Sequence, residues 1–237
     1  MRAFHDEKLI QRRARIAQFA SWGGLGVLAI GMVISFRANP SEPNYQLWIL
    51  GSFGCLILGF IAAQVGGYNM RRFGRSPRPD ERLAKELKGF DDRYTLYSWM
   101  LPAPYVFAGP SGIYTFAVRE QGGKVSNVGD RWKQPFSIGR FLTAFGQEGL
   151  GNPTVDAAGD AKKMQAYLDK HLPGEHLEVQ PIILFLNPGV DLDLNNPAVP
   201  VVMTKSLKGL LRQRSKEKRV SNDTLQALEQ LFQSTPK

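Results

Sequence analysis

Two long apolar runs dominate the first third of the chain, Ile16 to Phe36 and Leu47 to Val65, with ten polar or turn-forming residues between them. A hydrocarbon core about 30 Å thick needs about 20 helical residues to cross it, and lipid offers no water to stray backbone groups. Both runs reach that length, so the pattern predicts a two-helix transmembrane hairpin over about 16–36 and 47–66. The first run exceeds the apolar core of a signal peptide, about 7–15 residues, and no small-x-small cleavage pattern follows Phe36. In the second run Gln64, near one end, is the only strongly polar interior residue, which sets it apart from a buried helix of a soluble protein.

Past Asn69 the period changes. Arg75-Ser-Pro-Arg-Pro79 reads as the stiff part of a linker over 70–79, because each proline fixes φ and disfavours helix just before it. Asp80 is placed to cap a helix running to Lys88. Tyr94 to Trp99 alternates as a strand does; Tyr105 to Ala108 and Ile113 to Val118 give two more, joined by the turn Gly109-Pro-Ser-Gly112. After the turn Gln121-Gly-Gly123, Lys124-Val125 begins a returning strand. A helix over Asp156 to His171 is closed by Pro173-Gly174. Val179 to Leu186 is a near-continuous apolar run, the pattern of a strand buried on both faces, and Val199 to Met203 is a short further strand. Helices follow at Lys205 to Arg212 and at Asn222 to Phe232, the latter with Leu225, Leu228 and Leu231 on one face. The order predicts an α/β domain with a mixed sheet over about 80–213 and a helical extension over 214–237.

Charge changes the picture by its distribution. The net +9 divides into +3 over residues 1–15, +4 over 70–90 and +6 over 205–219, while 91–204 carries −3. Arg2, Lys8, Arg12, Arg13 and Arg15 precede the first run and Arg71, Arg72, Arg75 and Arg78 follow the second, whereas the loop between has only Arg37. Positive-inside counting puts both termini, including a basic N-terminus over 1–15, in the cytoplasm. Lys and Arg near a membrane surface are each drawn to anionic headgroups by about 1 kcal/mol, so the lipid bilayer as partner accounts for most of the excess. Lys205, Lys208, Arg212 and Arg214, on a helix whose Leu207, Leu210 and Leu211 turn inward, form a candidate basic surface for the bilayer or for phosphate; the alternative is a solvated helix end.

Small residues at Gly51, Cys55, Gly59, Ala63 and Gly67 recur every fourth position of the second run. Such a stripe allows close backbone approach, either to the first run with its Gly23, Gly24, Gly26 and Gly31 or to a second copy in a homo-oligomer. Cys55 is the single cysteine, which excludes an intrachain disulfide and a cysteine-based metal site. His5, His171 and His176 lack ligand spacing. Gly109-Pro-Ser-Gly112 is no nucleophile elbow, and Gly149-Leu-Gly151 lacks the Lys-Ser/Thr of a phosphate-cradling P-loop.

Val106-Phe-Ala-Gly-Pro-Ser-Gly-Ile-Tyr-Thr-Phe-Ala-Val-Arg-Glu-Gln-Gly-Gly-Lys-Val125, then Trp132, then Asn152-Pro153 ahead of a long helix, resembles the nuclease-related domain (NERD) over about 80–210. The resemblance implies a restriction-endonuclease-like fold of the PD-(D/E)xK type. Nucleases of that fold hold Mg²⁺ with an Asp and a Glu on neighbouring strands, and a Lys two residues after the Glu activates water. Set on this chain, the Asp position falls at Pro104, the Glu position at Ala117, the Lys position at Arg119, and a Gln position early in the helix at Asp156. Ala117 and Pro104 offer no side-chain oxygen. The resemblance therefore implies a membrane-anchored, catalytically inactive binding or scaffolding module, without cofactor, for a protein or nucleic-acid partner. The alternative is a Mg²⁺-dependent nuclease with displaced ligands, for which Glu120, Asp91, Asp92, Asp130 and Glu148 are the nearest acids, although strand alternation turns Glu120 away from Ala117 and Arg119.

Overall fold

The computed structural model describes residues 1–135, 149–175, 177–217 and 220–234. Two compact units emerge: residues 7–78 belong to one, and residues 1–6, 79–135 and those from 149 onward to the other.

The first unit is a helical hairpin. Helix α1 spans Glu7–Arg37, 31 residues, and α2 spans Tyr45–Asn69, 25 residues, continuing into a π-helical turn at Met70–Gly74. Both are long and apolar enough to cross a membrane. The buried positions of α1 are Ile10, Ala17, Gly24 and Gly31, seven apart, and Gly59, Gly66 and Phe73 keep the same interval along α2 and the turn beyond it. A seven-residue repeat holds one seam of each helix toward the other in a left-handed coil. Glycine makes the approach close: a Cβ at Gly59 would lie 2.5 Å from Leu28 Cγ, and one at Gly66 would lie 2.9 Å from the Ser21 backbone nitrogen. Ser52 Oγ also donates across the seam to the Gly31 carbonyl at 3.2 Å.

The seam corrects the expected stripe. Each helical residue turns about 100°, so every fourth residue drifts by about 40° and Gly51 ends up about 160° around from Gly67. A Cβ at Gly51 or Gly67 would meet nothing within 4 Å, and the same holds at Gly23 and Gly26. Cys55 and Gly59 lie on the seam against Gly31 and Leu28 of α1. Gly66→Ala is accordingly expected to cost about 1–2 kcal/mol through overpacking, while Gly51→Ala and Gly67→Ala are neutral. Unfolding the full chain by SDS titration checks this; equal effects at all three positions would refute the seam. Away from it the apolar side chains face outward, and Phe19, Trp22 and Phe36 are 75–79% exposed.

The second unit is a mixed α/β fold. Its strands are β1 (Arg2–His5), β2 (Thr95–Ser98), β3 (Tyr105–Gly109), β4 (Gly112–Arg119), β5 (Gly123–Val128), β6 (Arg131–Lys133), β7 (Val179–Phe185), β8 (Val190–Asn195) and β9 (Val201–Met203). Its described helices are α3 (Pro79–Leu87), α4 (Pro153–His171), α5 (Thr204–Glu217) and α6 (Asn222–Ser234). Six strands form one sheet in the order β1-β2-β3-β4-β7-β9, and β6-β5-β8 form a second. Pairs β1/β2, β4/β7, β7/β9 and β5/β8 are parallel; β2/β3, β3/β4 and β5/β6 are antiparallel.

Alternation along the strands sends side chains to two cores. Tyr114 and Phe116 of β4, with Ile182 and Leu184 of β7, pack against Leu83 and Leu87 of α3 and Leu207 and Leu211 of α5. On the other face Val106 and Ile113 meet Met164 and Leu168 of α4 and Leu228 and Phe232 of α6. Helix α6, expected in an extension past residue 213, thus supplies this core. Gly112 closes the β3–β4 turn at φ +120°, a conformation that favours glycine, and a Cβ at Gly109 would sit 2.2 Å from the Tyr94 ring.

Several expectations are revised here. The strand after Gly123 does not return beside β4; it enters the second sheet, which β6 and β8 complete. Helix α3 opens on Pro79, so Asp80 lies within its first turn and not at its cap. The N-terminal residues, expected only as a basic flank, begin with an edge strand paired in register from Arg2 opposite Thr95 to His5 opposite Ser98. The Met1 amine donates to the Phe90 carbonyl and to Asp92, each at 2.9 Å, and Arg2 makes a bidentate pair with Glu229 of α6.

Candidate functional site

The C-terminal end of β4 is where the motif positions meet. Ile113, Thr115, Ala117 and Arg119 alternate onto the face covered by α4, because successive strand residues point to opposite sides. The β3–β4 register places Val106 opposite Thr115, and carried two residues further it sets Pro104 opposite Ala117. Pro104 uses its carbonyl to accept from the Trp99 backbone at 2.8 Å. Ala117 is buried among Val125, Ala157, Ile183 and Phe185.

Helix α4 is fixed at this end by its own cap. The Asn152 side chain accepts from the backbone N–H groups of Thr154 and Val155, and Pro153 occupies the first turn, where a missing N–H costs nothing. Trp132 Nε1 donates to Thr154 Oγ1 at 2.8 Å and Asn152 Nδ2 to the Asp130 carbonyl at 3.1 Å, so the second sheet holds the helix start in place. Ala157, Ala161, Met164 and Leu168 then face inward, and Asp156 and Asp160 lie beside them.

Arg119 and Asp156, the Lys and Gln positions of the resemblance, close on one another as an ion pair from Nη2 to Oδ2. The Arg119 side chain is only 11% exposed, against 57% for Asp156. One turn on, Asp160 pairs with Lys163 at 3.3 Å. Burial pushes the Asp160 carboxyl above its ordinary pKa, partly offset by Lys163. A raised folded-state pKa means that the fold disfavours the ionised form. Stability therefore declines as pH rises through the ordinary value toward the raised one, and Asp160→Asn is expected to remove that decline and leave the protein at neutral pH as stable or slightly more so. Melting temperatures across the acid range check it; a large loss at neutral pH in the variant would show that the charge is needed.

This donor set does not fit a divalent cation. A hard cation requires several oxygens, whereas Ala117 contributes a methyl group and a guanidinium covers Asp156. The neighbouring acids are engaged elsewhere: Glu120 pairs with Arg82 of α3 at 2.9 Å, away from Arg119 as strand alternation requires. Asp91 pairs with Arg93 at 2.7 Å and Asp92 with the Met1 amine. Glu148 and His176 lie outside the described residues. Among the described residues no group of three or more His, Cys, Asp or Glu is arranged to hold a metal.

The basic surface of α5 is divided. Leu207 and Leu211 are buried and Leu210 partly so, as its periodicity predicts. Lys205 and Arg212 are exposed and Lys208 half-buried. Arg212 stacks over Phe90 at 5.9 Å, while Arg214 bonds Gln180 and lies 5.7 Å from the Tyr114 ring. A separate groove of about 750 Å³ lies beside β1 and α6, between Arg2, Tyr97, Asn222, Gln226 and Glu229. Its charges are already matched, and burial holds the Tyr97 hydroxyl neutral, its pKa pushed up to about 12. Neither the β1 wall nor the Arg119–Asp156 pair was visible in the sequence, since both join residues far apart in the chain.

Compared with family models, curated proteins and solved structures, the chain matches none.

Proposed function

We propose that this chain is a membrane-anchored, non-hydrolytic member of the nuclease-related fold, acting as a binding or scaffolding module at the cytoplasmic face. The observation that carries the non-hydrolytic part is the Arg119–Asp156 pair beside Ala117, a cation standing where the nuclease reading needs one bound by carboxylates. The mixed sheet with helices on both faces is compatible with the restriction-endonuclease-like fold. Phe19, Trp22, Phe36 and Leu50 facing outward on the hairpin support the bilayer reading, because soluble proteins rarely leave so continuous an apolar surface in water. Pairing of β1 with β2 supports the location of both termini on one side: the strands on either side of the hairpin share one sheet, which an even number of crossings allows. Lys205, Lys208 and Arg212 form the face toward a protein or nucleic-acid partner.

The test is incubation of the full chain in lipid nanodiscs with labelled single- and double-stranded DNA and RNA plus Mg²⁺ or Mn²⁺. No metal-dependent product is expected. Products that appear with the natural chain and vanish in Asp156→Asn would overturn the proposal in favour of a nuclease with displaced ligands.

A further inference from the structure

The seam of the hairpin fixes which residues stand level with each other across it. Gly66 lies against Ser21, Gly59 against Leu28 and Gly31 against Cys55, so residue numbers facing each other add to 86 or 87. Continued toward the N-terminus of α1, that register runs into the turn Met70–Gly74, which packs on α1, and brings Arg15 near the height of Arg71 and Arg72, with Arg75 following at the extended end of the turn. Arginines from two helices thus gather at one height. The other end of the hairpin has Arg37 alone with Glu42 close by in sequence.

That height coincides with a chemical layer of a bilayer. Arg13 precedes the middle of the α1 apolar run by thirteen residues, about 20 Å at 1.5 Å per residue. Half of a bilayer including its headgroups is about 20–22 Å. Tyr68 sits one turn nearer the apolar run, and the Arg72 guanidinium lies 4.6 Å from its ring centre, an aromatic ring and a cation in the order found at an interface. Arg12, Arg13, Arg15 and Arg75 are exposed and form no ion pair among the described residues. Arg71 Nη1 is buried with no partner among them. Arg71 as a whole is half-buried, and the exposed guanidinium groups of Arg12, Arg13, Arg15 and Arg75 are the ones a lipid phosphate can reach at this depth.

We propose that Arg12, Arg13, Arg15, Arg71 and Arg75 form a collar that binds the phosphates of anionic phospholipids in the leaflet at this end of the hairpin. The collar holds these lipids as a bound annulus. The proposal rests on the reading of the hairpin as membrane-spanning.

The full chain is reconstituted in phosphatidylcholine vesicles carrying either spin-labelled phosphatidylglycerol or spin-labelled phosphatidylcholine, and the protein-restricted fraction of each label is compared. The expected preference for the anionic label is about fivefold or more, the size that one or more guanidinium contacts provide at a membrane surface. It falls toward one in Arg12→Gln/Arg13→Gln/Arg71→Gln and in molar salt, where screening shortens to about 3 Å. It persists in Arg37→Gln and in the triple lysine variant at positions 12, 13 and 71. A ratio near one for the natural chain, or a ratio unchanged by both the triple glutamine variant and salt, overturns the collar. Alkaline carbonate washing separates the two readings: a chain that stays in the vesicles but shows no preference refutes the collar alone, whereas release into the supernatant refutes the hairpin and the collar with it.

Discussion

A protein that starts at Gly74 will melt well below one in which residues 1–6 are joined to Gly74 through a flexible Gly/Ser linker that replaces the hairpin. Three losses add up in the shorter protein. The β1–β2 ladder disappears from Arg2/Thr95 to His5/Ser98, each net hydrogen bond contributing about 0.5–1.5 kcal/mol. The stacked contact of Phe4 on Tyr97, ring centres 5.9 Å apart, goes with it. So does the Arg2–Glu229 pair, which is only partly shielded from solvent and adds no more than about 1 kcal/mol. Together the expected destabilisation is about 3–5 kcal/mol, or about 10 °C in melting temperature for a domain of this size. The newly bared β2 edge would also invite aggregation. Arg2 holds the Glu229 carboxyl below its ordinary pKa. The pair therefore stabilises above the ordinary glutamate value and stops doing so as pH falls through the lowered one, so the gap between the two proteins narrows in strong acid. Coincident melting curves at neutral pH would refute the role given to β1.

Asp156→Ala is expected to cost about 2–3 kcal/mol, somewhat less than the roughly 3–5 kcal/mol for breaking a fully buried pair, because Asp156 itself is mostly solvated. The loss arises from Arg119: its side chain is 11% exposed and its Nε already lacks a partner among the described residues, so removal of the carboxylate strands a charge. Arg119→Met in the same protein should recover most of the loss, since an apolar chain of similar length fills the site without a charge to satisfy. Thermal unfolding of the two single variants and the double variant completes the cycle. If the double variant is no better than Asp156→Ala, the ion pair is not what holds this corner of the fold together.

Local chemistry made much of the architecture legible before any coordinates. Gly109-Pro-Ser-Gly112 between alternating segments announced the β3–β4 hairpin and the near-continuous run to Leu186 announced a doubly covered β7, because in each case the signal lies within a few residues, whereas the helix expected from Asp156 begins three residues earlier, at Pro153 behind its Asn152 cap. Strand β1 was illegible for the opposite reason. Arg-Ala-Phe-His has no periodicity to speak of, and its partners Thr95 to Ser98 and Glu229 are far along the chain. Strand β6 has only three residues and exists by pairing with β5, whereas β8 alternates as Val-Asp-Leu-Asp-Leu-Asn and carries a local strand signal. Gly51 and Gly67 lie off the seam between α1 and α2 because a four-residue spacing drifts around the helix, whereas packing of two helices selects a mean interval of 3.5. The pairing of Arg119 with Asp156 was illegible for the same reason as β1, since the fold alone brings these distant residues together.

Insertion of the hairpin between two neighbouring strands imposes an order on biogenesis. The ribosome makes β1 first, then both apolar helices, and Thr95 to Ser98 only after about ninety further residues. The first strand must wait, unpaired, until that partner has been made. On the membrane-spanning reading proposed above, a chain with only one helix integrated leaves the waiting strand and its mate in different compartments, where the sheet cannot close. On that reading, completion of the sheet requires both helices to have crossed, and a chain that fails leaves the β2 edge open.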